Sequence, residues 1–176
     1  MKTKFIVALQ NAVSTVSVVT TNGDGGIAGA TISSFCSVSA EPATLLACIH
    51  KNTPLADSIK LNKKFCINLL SQDQVNISDI FAGREIVENK NKFDLVDWSK
   101  GEFNQPILKD SVVNFECDLS QTLDGNTHHV FFGNVLSILD NLKIIDPLIY
   151  YKQQYAKSSF IDNSKIGLNK LMLELL

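Results

Sequence analysis

Apolar positions in this chain recur mostly with a period of two, in short runs separated by turn residues. Val16-Ser17-Val18-Val19-Thr20-Thr21 is rich in β-branched residues and stops at Asn22-Gly23-Asp24-Gly25-Gly26, the strongest turn signal present. Ile27 to Ser34 then reads as the returning strand of a hairpin. Thr44 to Ile49 is nearly continuous in apolar residues, the pattern of a strand buried on both faces. Phe65 to Leu70 is another strand. Val113, Phe115, Cys117 and Leu119 alternate with Asn114, Glu116 and Asp118, which predicts a half-buried strand with its polar side outward. Asp124-Gly125-Asn126 turns the chain into a strand over Val130 to Leu139, and Asp140-Asn141 turns it again into Lys143 to Ile145. Pro147 to Tyr151 closes the body.

Helical spacing is rarer. Phe5, Leu9 and Ala12 predict a short amphipathic helix over 3–13. Thr53-Pro54 supplies an N-cap and a first-turn proline, with Leu55 and Ile59 on the inner face. Ser71 and Gln74 have capping-box spacing ahead of Val75, Ile80 and Phe81, and Gly83 fits the C-cap. Residues 84–111 form a long excursion with room for one short strand or helical turn; loops of that length inside compact domains are often functional. Leu168, Leu171, Met172 and Leu175 form a helical stripe near the end. Seven or so short strands with close turns and a few short helices predict an all-β barrel or sandwich. No GxGxxG follows the first strand, and strands do not alternate with long helices, so a doubly wound parallel sheet is excluded.

Composition narrows the class. With 176 residues, 45% hydrophobic and 19% charged, the chain can bury one sizeable core. A net charge of −2 argues against nucleic acid as a partner, because phosphate backbones demand a basic face. No membrane span is present, and the apolar run Phe5 to Leu9 is too short for a secretory leader, so a cytoplasmic location is expected. Cys36, Cys48, Cys66 and Cys117 form no CxxC pair and are expected to be reduced thiols.

One stretch carries candidate chemistry. Thr31, Ser33, Ser34, Ser37 and Ser39 crowd five hydroxyls between Gly29 and Pro42. Short hydroxyls and free backbone N–H groups are the parts of an anion cradle; a strand and turn whose side chains bond their own backbone would look the same. Arg84 and Lys51 can each serve a phosphate or simply be solvated. His128 and His129 are adjacent, would face opposite sides of a strand and cannot readily chelate one metal, so no metal site is expected. There is no GxSxG elbow for a hydrolase.

Taken in order, the segments resemble the short-chain flavin reductase family, the reductase components of two-component flavin monooxygenases. The matching pieces are Val16 to Thr21, Gly29-x-Thr31-x-Ser33-Ser34-Phe35-x-Ser37-Val38-Ser39, Pro42 with Leu45–Ile49, and Phe65-x-x-Asn68-Leu69-Leu70. Gln74, Phe81-Ala82-Gly83-Arg84, Glu116-Cys117, Gly125-Asn126-Thr127-His128, Phe132-Gly133-x-Val135 and Pro147-Leu148-x-Tyr150-Tyr151 follow. The resemblance implies a Greek-key, FMN-binding split β-barrel over 1–156, normally a homodimer; 157–176, read as a helical extension from its apolar stripe, has no counterpart in the family. The same resemblance implies NAD(P)H-dependent reduction of FMN or FAD for an oxygenase component; a flavin electron carrier without nicotinamide turnover, or a barrel without cofactor, are the rival readings. It also implies that Thr31, Ser33, Ser34, Ser37, Val38 and Ser39 meet the flavin. Cys48, Ile49, His50 and Lys51 would run beside the ring or ribityl chain, Phe81, Ala82, Gly83 and Arg84 would lie near the phosphate, and Tyr150 would border the pocket. His128 would orient the nicotinamide. Departures are Ala43 after Pro42 where a second proline is common, Thr127 where an aspartate precedes the histidine, and Asn104 where a glycine is usual.

Overall fold

The computed structural model describes residues 1–85, 90–141 and 146–159. In chain order they form α1 (Lys2–Leu9), β1 (Ser14–Thr15), β2 (Ser17–Thr21), β3 (Ala28–Ile32), β4 (Phe35–Ala40), β5 (Ala43–His50), α2 (Pro54–Asn62), β6 (Lys64–Leu69) and α3 (Val75–Ala82). A 3₁₀ turn over Lys92–Leu95 follows, then β7 (Trp98–Lys100), β8 (Pro106–Leu108), β9 (Val113–Gly125), β10 (His128–Asp140), β11 (Leu148–Tyr151) and β12 (Gln154–Lys157). The strand expected at Lys143 to Ile145 and the stripe Leu168 to Leu175 lie outside the described residues.

Seven strands pair antiparallel in the order β3-β2-β6-β9-β10-β5-β4. The two edge strands, β3 and β4, are consecutive in the chain and joined only by Ser33 and Ser34. Laid flat, seven strands would hold their edges roughly 29 Å apart at the usual spacing, whereas that link reaches about 11 Å at most. The sheet therefore rolls up until its edges meet across a seam, and the Ser33-Ser34 dipeptide spans it. The all-β expectation is met in this form.

One core fills the roll: Val19, Ile32, Leu45, Ala47, Ile49, Phe65, Ile67, Cys117 and Phe131 from the strands, with Leu55, Ala56 and Ile59 of α2. Thr53 caps that helix as expected, its side chain accepting from the Ala56 N–H, with Pro54 in the first turn. A second core lies outside β2, where Val16, Val18, Leu70, Ile80, Phe81, Phe93, Leu108 and Leu148 meet. The strand buried on both faces is thus β2. In β5 only Leu45, Ala47 and Ile49 are buried while Leu46 and Cys48 are half-exposed, because no described residue fully covers its outer side.

Three further expectations change. α1 ends at Leu9 and buries none of its residues, so its apolar side chains do not face the core. The N-cap of α3 is Gln74 itself, with no side-chain cap; its Oε1 instead accepts from the Ser71 N–H at 3.0 Å and its Nε2 donates to the Lys109 carbonyl at 2.6 Å. Gly83 takes the expected left-handed C-cap, φ 73°. On β9 the polar side is not solvated: Asn114 and Glu116 are buried because the β7–β8 ribbon of the 84–111 excursion covers them. That excursion holds both a 3₁₀ turn and a two-stranded ribbon, and Asn104 sits in its turn at φ 63°, the left-handed conformation that explains a glycine preference there.

Asn68 knots the second layer to the first. Its amide donates to the Val18 carbonyl at 3.0 Å and to Thr20 Oγ1 at 3.1 Å, and its oxygen accepts from the Leu108 N–H at 2.9 Å and Asn114 Nδ2 at 2.7 Å. Asn68→Ala strands several buried polar groups at once. It should cost roughly 3 kcal/mol and lower Tm by roughly 6–12 °C in a calorimetric melt.

All four cysteines are free thiols. Cys66 and Cys117 are fully buried, and burial pushes both thiols up, Cys117 to about 12. Cys36 is exposed and Cys48 half-buried. Intact-mass analysis after alkylation at pH 8 should show Cys36 modified first, Cys48 more slowly, and the other two only after denaturation.

Candidate active site

Beside the seam that Ser33 and Ser34 bridge lies a groove of three adjoining chambers. The middle one, about 180 Å³, is walled by Val16, Thr31, Ile32 and Ser33 on the strand side and by Ser78, Ala82, Arg84, Tyr150 and Tyr155 opposite. Thr31 and Ala82 are shared with a chamber of about 500 Å³ that runs along β3 to Thr53, with Lys90 and Lys92 on its rim. Ser33 and Tyr150 are shared with a chamber of about 290 Å³ between Ser34 and α1.

The five hydroxyls divide by what they already bond. Thr31 Oγ1 donates to the Ser78 carbonyl at 2.7 Å and so anchors α3 to β3. Ser39 Oγ is spent locally, donating to the Glu41 carbonyl at 3.0 Å and accepting from the Glu41 N–H at 3.1 Å. The hydroxyls of Ser33, Ser34 and Ser37 make no hydrogen bond to a described residue. Ser33 and Ser34 line the groove. Ser37, Val38 and Ser39 lie on β4 at the sheet edge, exposed, and do not.

Arg84 is the cation of the middle chamber. The C-cap at Gly83 reverses the chain so that Arg84 folds back on α3, where its N–H donates to the Asp79 carbonyl at 3.0 Å. Nη1 donates to Asp79 Oδ1 at 2.9 Å and Tyr155 Oη at 3.1 Å, while Tyr155 itself donates toward Asp79 and Ser78. Hydrogen bonding to Tyr150, then to Asp79, raises the guanidinium pKa above its ordinary value. A guanidinium has five donors, so the bonds to Asp79, Tyr155 and Tyr150 still leave N–H groups for an anion.

Other expected residues fall at varying distances from this point. Phe81 is buried against Phe93, its carbonyl accepting from Lys92 Nζ at 2.9 Å, and burial lowers that lysine's pKa. Ile49 belongs to the core. Cys48 adjoins the seam through its N–H, which donates to the Ser34 carbonyl at 2.9 Å. Lys51 is tied to Asp124 at 2.6 Å, on the turn rather than in the groove, and it holds that carboxyl below its usual range.

His50 and His128 face each other across β5 and β10, ring centres 5.1 Å apart and edge to face. The Asn52 N–H donates to His50 Nδ1 at 3.2 Å, and Thr127 Oγ1 lies 2.9 Å from His128 Nδ1. Thr53 Oγ1 donates to the His50 carbonyl at 2.8 Å, which ties the β5 end to the start of α2; neither His50 nor His128 lines any of the three chambers. His129 points the other way, to Lys60 Nζ at 2.8 Å. Burial first, then Lys60, lowers its pKa.

Ser78, Asp79 and Tyr155 were not singled out from the sequence. Asp79 stands five positions before Arg84, close enough on a capped helix to be found. Tyr155 had no local signal, because β12 follows a turn at Lys152 and Gln153, both at positive φ although neither is Gly or Asn.

Comparison with known proteins bears on the family and the fold. The model of the flavin reductase like domain matches residues 9–159. The FMN reductase (NADH) RutF of Bradyrhizobium diazoefficiens is 34% identical over 152 residues, spanning 86% of this chain and 83% of that protein. Among solved structures, the flavin reductase PheA2 superposes with a TM-score of 0.81 at 27% identity, covering 91% of this chain and 99% of that one. BorF, the flavin reductase component of a bacterial two-component tryptophan halogenase, gives 0.81 at 25% identity, covering 92% and 100%. The roll with its bridged seam is the split barrel of these neighbours, and the chain belongs to the flavin reductase-like domain family.

Proposed function

We propose that this chain is an NAD(P)H-dependent flavin reductase that passes hydride from reduced nicotinamide to FMN. The observation that carries the reading is the pair of unbonded hydroxyls on Ser33 and Ser34 beside the Arg84 guanidinium, in one groove at the barrel seam. That donor set fits FMN, with a cation for a phosphate, short hydroxyls for a polyol or ring edge, and apolar walls from Val16 and Ile32. Relatives named FMN reductase (NADH) support this cofactor and co-substrate.

Bound flavin supplies the redox chemistry, accepting the hydride at its ring. What the chain contributes is position and electrostatics, since hydride transfer needs no strong acid or base. Arg84, steadied by Asp79 and Tyr155, holds the phosphate; Ser33 and Ser34 set the ring edge; Cys48 fixes the seam by its bond to the Ser34 carbonyl. His128, edge-on to His50 and 2.9 Å from Thr127 Oγ1, orients the nicotinamide. FAD is also accepted, its adenylate extending outside the middle chamber.

The working unit is a homodimer. The exposed apolar residues Val38, Leu136 and Ile138 and the uncovered outer side of β5 support this, and a partner there would bring Ser37, Val38 and Ser39 to a shared site. The setting is cytoplasmic, and the reduced flavin serves an oxygenase component, as the two-component neighbour suggests. No helix among the described residues is long and apolar enough to cross a membrane.

Anaerobic stopped-flow mixing of the FMN-loaded protein with NADH, and separately with NADPH, tests the reading. Saturable bleaching of the flavin is expected. Bound flavin that never bleaches would make the chain an electron carrier, and no binding would leave a barrel without cofactor. In the same assay His128→Ala should raise the nicotinamide KM about tenfold, the loss of one or two oriented contacts, with the FMN Kd unchanged. Equal changes in both would remove the orienting role.

A further inference from the structure

α1 stands on the barrel without a core of its own. Phe5, Ile6, Val7 and Leu9 are 61%, 48%, 54% and 53% exposed, and none of its side chains is buried. Its C-terminal end is pinned by a main-chain bond, Lys152 N–H to the Gln10 carbonyl at 3.1 Å, at the tip of the β11–β12 hairpin. Yet the helix does not turn all its apolar residues to solvent in the same way. Ile6 and Leu9 border a gap of about 290 Å³ whose facing wall is Ser33, Ser34 and Tyr150; Phe5 and Val7 do not border it.

Ser33 and Tyr150 also wall the Arg84 chamber, so the two spaces adjoin across these residues. They differ in chemistry. One offers a guanidinium; the other offers the apolar side chains of Ile6 and Leu9 with two free hydroxyls and an aromatic ring, and Lys152 and Gln153 also line it. A molecule suited to both is a flat, largely apolar ring with a polar edge, joined by a short polar chain to a phosphate.

We infer that α1 is a wall of the flavin site, with Ile6 and Leu9 packing on the ring system across from Ser33, Ser34 and Tyr150. The inference rests on the flavin-reductase reading and adds a ring-binding element to it. It also accounts for a helix that keeps apolar residues over a gap. Those side chains lose their contact with water when the ring enters, and the helix is then held by more than one backbone bond.

The test uses the full-length chain and fluorescence titration with FMN and with riboflavin, which lacks the phosphate. The double substitution Ile6→Ser/Leu9→Ser should weaken both ligands about tenfold and by the same factor, because the contact is to the ring alone. Phe5→Ser, on the same helix but off the gap, should leave both affinities as they are, and Leu9→Met should retain binding. Unchanged affinities in the double variant overturn the inference while the wild-type titration upholds the flavin reading. Equal weakening by Phe5→Ser, with a change in oligomeric state, also overturns it and assigns the helix to contact between copies. Failure of the wild-type protein to bind either ligand overturns both.

Discussion

Arg84→Ala is expected to weaken FMN binding by roughly 30-fold, about 2 kcal/mol, while riboflavin binds as to the wild type. The size follows from losing charge-assisted bonds to a phosphate in a chamber where, among the described residues, no other cation lines the wall. The ligand contrast follows from position: Arg84 shares the middle chamber with Ser33 but does not reach the gap beneath α1. Arg84→Lys should recover only part of the affinity, since a lysine restores the charge and not the planar fork that Asp79 and Tyr155 hold in place. Isothermal titration with both ligands measures this. Equal losses for FMN and riboflavin would place Arg84 at the ring and move the phosphate elsewhere.

The largest stability effect is expected at Glu116, a carboxylate only 1% exposed. Its Oε1 accepts from the Phe103 N–H at 3.0 Å and the Gln105 N–H at 3.1 Å, closing the loop between β7 and β8. Gly101 lies directly against it, where any Cβ would collide with the carboxylate. Gln105 in turn brackets Asn22, accepting from its N–H at 3.0 Å and donating to its carbonyl at 3.2 Å, so the loop is stitched to the β2–β3 turn. Glu116→Ala strands two buried donors, opens a cavity and releases that stitching. It should cost about 4 kcal/mol and lower Tm by roughly 10 °C or more. Glu116→Gln keeps an acceptor of the same shape and should cost less than half as much. Similar melts for the two variants would show that the charge, and not the acceptor geometry, holds the loop.

The same residue shows where sequence reading reached its limit. Alternation along Val113 to Leu119 located β9 and its inward side, because one face of a strand in a barrel must be apolar. It could not show that Asn114 and Glu116 were covered, since the cover comes from a ribbon whose strands are three residues each and carry no periodic signal. The reverse holds at β5: an unbroken apolar run predicts two buried faces, whereas Leu46 and Cys48 on the second face are half-exposed among the described residues.

Local chemistry was readable wherever one residue determines a conformation, as with Thr53-Pro54 at α2, Gly83 at the end of α3, and the glycine-rich turn before β3. The hydroxyl row was readable as a feature but not in its division of labour. Thr31 bonds α3, Ser39 bonds its own turn, and Ser33 and Ser34 are left free because they span the seam instead of lying in a ladder. That follows from strand order, which no local pattern encodes. Tyr155, the partner of Arg84, sits 71 residues away and became visible only once the hairpin folded it back over α3.

The central claim is that the dipeptide joining the two edge strands is where the flavin binds. A crystal structure of the protein with FMN measures this most directly. The account predicts electron density with the phosphate at Arg84 and the ring system against Ser33, Ser34 and the inner side of α1. Density for the cofactor in the acidic hollow by Asp73, Asp94 and Asp97 on the other side of α3, or along exposed β4 with the seam left clear, would contradict it.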